Sequence, residues 1–239
     1  IYLIPRPRTE VRSYTPGQIP EYSVLIRYFP WSPIPEEIYY QIKSQYEGIS
    51  YVAPRGWFVV PSSTGAWGSL VFSPNLTTTI NAFLFVSPNE AEITHLWENI
   101  GLKGRGFLDS DIYACMISER AAANLTKELG RPIGLGSKIP LWGMNLTVVG
   151  LFNGDFLWSG AEGLLDLDAE PITPMMPIPG VTAQARPPHF KGDVVIILPF
   201  KLALHTREFF SFMSFSFKPF NLNNFKVKLN VHVLNVLLG

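Results

Sequence analysis

Ala114-Cys115-Met116-Ile117-Ser118-Glu119-Arg120-Ala121-Ala122-Ala123-Asn124-Leu125 is the stretch on which the fold turns. Residues 112–117 are apolar and strand-length, and Ser118-Glu119 then opens a helix through Leu129 that Gly130 closes. Ser is a favoured helix N-cap and Gly a favoured C-terminal stop. Ala121, Ala122, Leu125 and Leu129 recur at helical spacing and form one apolar face. Leu146-Thr147-Val148-Val149-Gly150-Leu151-Phe152 returns to strand character, so residues 112–152 predict strand, helix and strand in one lobe.

The same alternation extends outward. Val24 to Phe29 is a strand candidate ended by Pro30, and Ser32-Pro33-Ile34-Pro35-Glu36-Glu37 has the prolines and acids of a helix start. Ile38, Tyr39, Ile42 and Tyr46 follow at helical spacing before Gly48, and residues 49–60 resume as a strand, completing a β-α-β unit. Further strands are expected at Ser69 to Phe72 and Thr78 to Val86, with a short helix from Pro88 through Trp97 and a loop at 101–106. Asp193 to Leu198 reads as a strand followed by a turn of helix to His205, and Phe209 to Lys218 and Phe225 to Val236 as two closing strands. Residues 1–20 are proline-rich and irregular. Residues 153–188 are long, rich in Pro, Gly and Asp and without period, the mark of a functional loop, a lid or a mobile segment.

Composition limits function. The 239 residues balance 19 Lys+Arg against 19 Asp+Glu, leaving no basic surplus for a nucleic acid. Charged residues make up 16% where about 25% is usual, apolar ones reach 47%, and mean hydropathy is +0.16, so disorder is excluded. No apolar run approaches the roughly 18 residues that cross a bilayer. One cysteine, Cys115, rules out an internal disulfide and reads as buried packing. The chain opens at Ile1 with no signal-peptide pattern, as expected of a piece of a longer protein.

The chemical motifs are negative. No G-x-S-x-G elbow occurs, and His95, His189, His205 and His232 are scattered without metal-ligand spacing, as ordinary surface or interface histidines would be. Gly134-Leu135-Gly136-Ser137-Lys138 lacks the P-loop spacing, so nucleotide binding is rejected. Glu162, Asp166, Asp168 and Glu170 form an acidic segment without the glycine and third ligand of a calcium loop, which favours a solvated loop. No cofactor, metal or catalytic residue is therefore assigned. Three sequons, at Asn75, Asn124 and Asn145, weigh towards an exported location.

Gly104-Arg105-Gly106-Phe107 with Asp109 and Asp111, then Ile117-Ser118-Glu119 with Ala122 and Leu125, Gly130, and Thr147-Val148-Val149-Gly150, stand in an order that resembles the MacB-like periplasmic core domain. Asp193 to Phe200, running into a proline and a short helix, is similar to the strand near that family's end. Residues 153–188 match no pattern of the family.

The resemblance implies an α+β, two-lobed extracytoplasmic domain. Its β-α-β lobe would comprise 1–90 and 190–239, and a second mixed lobe, 91–189, would be inserted within it. It implies a non-enzymatic domain of an ABC transporter permease on the outer face of the cell membrane. There it would couple ATP-driven conformational change to the handling of a substrate or partner protein. Its partners would be the parent permease's membrane helices and a cytoplasmic ATPase, and a partner protein or apolar cargo outside. Within 153–188, Phe156, Trp158, Asp166, Asp168, Met175 and Met176 are the candidate recognition residues. A stand-alone extracytoplasmic ligand-binding module and a hydrolase with distant triad residues stay open as alternatives.

Overall fold

The computed structural model describes residues 23–26, 40, 44, 49–60, 68–69, 71–73, 76–77, 80–141, 143–166, 170–176, 188–205 and 231–238. Its strands are β1 (Ser23–Ile26), β2 (Ile49–Val59), β3 (Val71–Ser73), β4 (Leu76–Thr77), β5 (Ala82–Val86), β6 (Lys103–Gly104), β7 (Ala114–Ser118), β8 (Lys138–Leu141), β9 (Met144–Phe152), β10 (Val195–Pro199) and β11 (Val231–Leu238). Its helices are α1 (Glu90–Thr94), α2 (Leu96–Asn99), α3 (Glu119–Leu129), α4 (Gly154–Trp158) and α5 (Phe200–His205). The mixed α and β composition agrees with the sequence reading.

Nine of the described strands join one mixed sheet in the order β1-β11-β2-β5-β10-β7-β9-β6, with β8 also on β9, while β3 and β4 form a separate pair. β5 and β10 are parallel, as are β7 and β9, and the other pairs are antiparallel. β1, β11, β2, β5 and β10 thus occupy one side of the sheet and β7, β9, β6 and β8 the other. The two sides meet where β10 lies along β7, with Ile197 opposite Met116.

The β7-α3-β9 unit forms as its sequence dictates. The Ser118 hydroxyl accepts from the Ala121 N–H at 3.0 Å, and Gly130 ends α3 at φ 62°. Ala121, Ala122 and Leu125 are buried and Leu129 packs beside them.

β5, β7 and β10 are buried throughout, and apolar but for Ser118, because both their faces are covered. Phe83, Phe85, Cys115, Ile117, Ile196 and Leu198 belong to the cluster that α3 and α5 cover. Their alternates Leu84, Val86, Met116 and Ile197 belong to a second cluster with Leu96, Leu157, Ile172 and Phe190. Cys115 is inside the first, where burial pushes its thiol pKa well up, as a packing role requires.

Several elements differ from expectation. The helix foreseen from Pro88 through Trp97 is broken into α1 and α2 by His95, whose φ is 50°. The loop expected at 101–106 contains β6, and β8 carries Pro140 at an exposed position on the outer side of β9, where a missing N–H is tolerated. Of the helix expected after Pro35, Tyr40 and Ser44 are helical and the other positions lie outside the described residues. The strand expected at 209–218 also lies outside them, and the last strand is described from Val231.

Candidate functional site

Arg55 is the one charged residue of β2, and it organises the face opposite α3. A guanidinium inside a sheet must find charge partners, because it keeps its proton and its burial costs solvation. Arg55 is fully buried and finds two. Its Nη1 donates to Asp166 Oδ2 at 2.7 Å, and its Nη2 donates to Glu90 Oε1. Glu90 begins α1 and is itself fully buried. Burial works against the Arg55 charge, but Asp166 and Glu90 outweigh it and hold the guanidinium above its ordinary pKa. Burial dominates at Glu90 and pushes its carboxyl upward, against the pull of Arg55.

Asp166 therefore departs from the expectation of a solvated acidic loop, while Glu162 is exposed as expected. Asp166 is 1% exposed and points inward to Arg55. Its backbone N–H donates to the Glu170 carbonyl at 2.7 Å, beside a bridge between Leu165 and Pro171. Next to Arg55 on the same face of β2, Trp57 meets the ring of His189 edge-on at 6.1 Å. His189 Nδ1 is bonded to the Thr173 carbonyl oxygen, and its Nε2 lies 3.9 Å from Glu170 Oε2. His189 is buried, correcting the expectation of a surface or interface histidine.

Of the residues expected to form a recognition surface, Phe156 is 54% exposed, while Trp158, Met175 and Met176 are half-buried. Asp168 lies outside the described residues. Exposed Leu165 was not anticipated and stands on the same segment as Phe156. The described residues 164–166, 170–176 and 188–190 cover the sheet: Ile172 and Phe190 are buried in the second core cluster, with Leu164 and Met176 packed against it. Arg55 was passed over in the sequence, where its available signal is a lone charge in a mostly apolar strand. Its partners carry no such signal, since Asp166 is 111 residues away.

The Gly104 to Asp111 motif folds into a separate surface feature. Arg105 forks onto Asp111, Nη1 to Oδ2 at 2.6 Å and Nη2 to Oδ1 at 3.0 Å, and the Leu108 N–H donates to the same carboxylate. The Arg105 hydrogen bonds hold the Asp111 carboxyl below the usual carboxylate range. Ser110, Asp111, Tyr113 and Thr147 help line a shallow depression of about 370 Å³. Lys201 of α5 donates to the Asp109 backbone carbonyl at 2.7 Å, and Asp111 is the acid of the motif whose side chain organises the loop. Among the described residues, no three His, Cys, Asp or Glu side chains converge as a metal site, and no helix is long and apolar enough to cross a membrane.

Arg55 and Arg105 each brace their surroundings through carboxylates. The sequence pattern of the MacB-like periplasmic core domain matches residues 9–210. Among solved structures, the chain is similar to the periplasmic region of MacB from Actinobacillus actinomycetemcomitans, with TM-score 0.49 and 11% identity over 93% of this chain and 77% of that one. It is also similar to the extracellular domain of the noncanonic ABC-type transporter YknZ from Gram-positive bacteria, with TM-score 0.41 and 14% identity over 86% and 73%. A search of curated proteins by sequence returns no match.

Proposed function

The chain belongs to the family of the MacB-like periplasmic core domain, and from that premise we propose that it is the non-catalytic extracytoplasmic domain of an ABC transporter permease in the cell membrane. In this reading a cytoplasmic ATPase supplies the energy, and the permease's membrane helices transmit the motion. The domain couples that motion to a substrate or partner protein outside the membrane. The observation that carries the reading is the family pattern, which runs through most of the chain, from residue 9 to 210. The charge clusters support it, because each braces an element instead of exposing a nucleophile or base.

We read the domain as two lobes, 1–90 with 190–239 and the inserted 91–189, which share the sheet and abut along β10 and β7. The recognition surface is assigned to 153–188. Exposed Phe156 and Leu165 are its apolar contacts, half-buried Trp158, Met175 and Met176 its margin, and Asp168 a further polar contact. Asp166 serves the interior instead. Aromatic and thioether side chains suit an apolar cargo or a partner's apolar patch.

The test is transport by the full-length transporter carrying Phe156→Ser together with Leu165→Ser. Both side chains are exposed, so the domain should stay folded and transport should fall at least fivefold. Unchanged transport with normal expression would remove recognition from this surface.

A further inference from the structure

The covering segment closes on itself at its base. β9 ends at Phe152, α4 begins at Gly154, and the chain returns through a 3-10 turn at Gly192–Val194 into β10. At this neck the two glycines leave no room for a side chain. A Cβ on Gly192 would stand 2.2 Å from the Gly154 carbonyl oxygen, and one on Gly154 would stand 2.7 Å from the Asp193 nitrogen. Asp193 is also held by Arg120 of α3 at 2.8 Å, which ties the neck to the scaffold.

Beyond the neck, the described residues 164–166, 170–176 and 188–190 add no strand to the sheet. Their backbone bonds are mostly to one another: Ile172 N–H to Leu164 O, Asp166 N–H to Glu170 O, Met176 N–H to Pro188 O and Phe190 N–H to Pro174 O. Among the described residues, the bond from Arg55 to Asp166 gives the segment a charged hold on the sheet.

We propose that this segment is a latched strap. Its neck at Gly154 and Gly192 stays packed as a hinge, Arg55 on β2 is the latch, and Asp166 is the catch. Releasing the catch lets the described residues 164–166, 170–176 and 188–190 leave the sheet while the strands stay paired. A connection whose ends already touch can open without pulling on the elements it joins, and such units open below the free energy of global unfolding. Arg55 keeps Glu90 when Asp166 is lost, so the released state does not strand a lone buried cation. The proposal stands independently of any recognition role for the strap.

Hydrogen exchange on the full-length protein, with and without Asp166→Asn, tests this. Peptides covering 164–166, 170–176 and 188–190 should exchange at least tenfold faster in the variant, while those of β5, β7, α3 and β10 keep their wild-type rates. Unchanged strap exchange, or equal acceleration in strap and sheet, would overturn the latch. Should the variant not fold, wild-type exchange in urea below the unfolding transition decides the matter. Strap amides opening at lower urea than the β5 and β10 amides support the strap, and simultaneous opening refutes it.

Discussion

Gly104 adopts φ 102°, and a Cβ there would stand 2.4 Å from the Val149 carbonyl oxygen. Conformation and space both demand glycine, so Gly104→Ala should destabilise the domain by about 2–3 kcal/mol; a thermal melt of the variant checks this. The neighbouring Asp111 predicts a pH effect. Its folded pKa lies below the unfolded one because Arg105 bonds to the ionised form. Its contribution is therefore present above the unfolded value of about 4 and is lost as pH falls through the folded value. Glu90 acts with the opposite sign: its raised folded pKa favours the fold below the unfolded value, and that contribution is lost as pH rises through the folded one. Between about pH 5 and 3, the melting temperature of Asp111→Asn should fall less than that of the wild type. Parallel curves would show that Asp111 contributes nothing to acid sensitivity.

At the scale of elements, α3 depends on its cap. Ser118→Ala leaves the Ala121 N–H without the hydroxyl and should cost about 1 kcal/mol, read as a lower denaturant midpoint with an unchanged slope. The elements found from sequence are those whose signals are local. Ser118, Gly130 and the Ala121, Ala122, Leu125 face specify α3 without help from distant residues, and apolar runs specify β5, β7 and β10. β6 was missed because two residues carry no period, and β8 because Pro140 argues against a strand unless its edge position is known. The candidate site was less legible. The pattern of 153–188 showed a long irregular connection but not that Ile172 and Phe190 would cover the sheet. Asp166 gave no sign of burial, since its partner comes from β2, and its surroundings in the sequence are those of a solvated acidic loop. For the same reason, replacing 156–178 by a Gly-Ser linker would uncover core rather than isolate a recognition role. Point substitutions at Phe156 and Leu165 are the sharper tools.

At the scale of the whole molecule, strands from both ends of the chain and from its middle share one sheet, and the middle segment covers part of the face that Arg55 occupies. Force applied at one side of such a sheet reaches the other through β10 and β7. This continuity suits the relay of motion proposed above. The most direct measurement is hydrogen exchange over this domain in the full-length transporter, reconstituted in lipid nanodiscs with the ATPase proposed to drive it, comparing the nucleotide-free and ATP-trapped states. If the domain relays that motion, trapping ATP changes its protection along the β10–β7 seam and in residues 164–166 and 170–176, even though the proposed nucleotide site is across the membrane. Identical exchange throughout the domain in the two states, with ATP demonstrably bound, would contradict it.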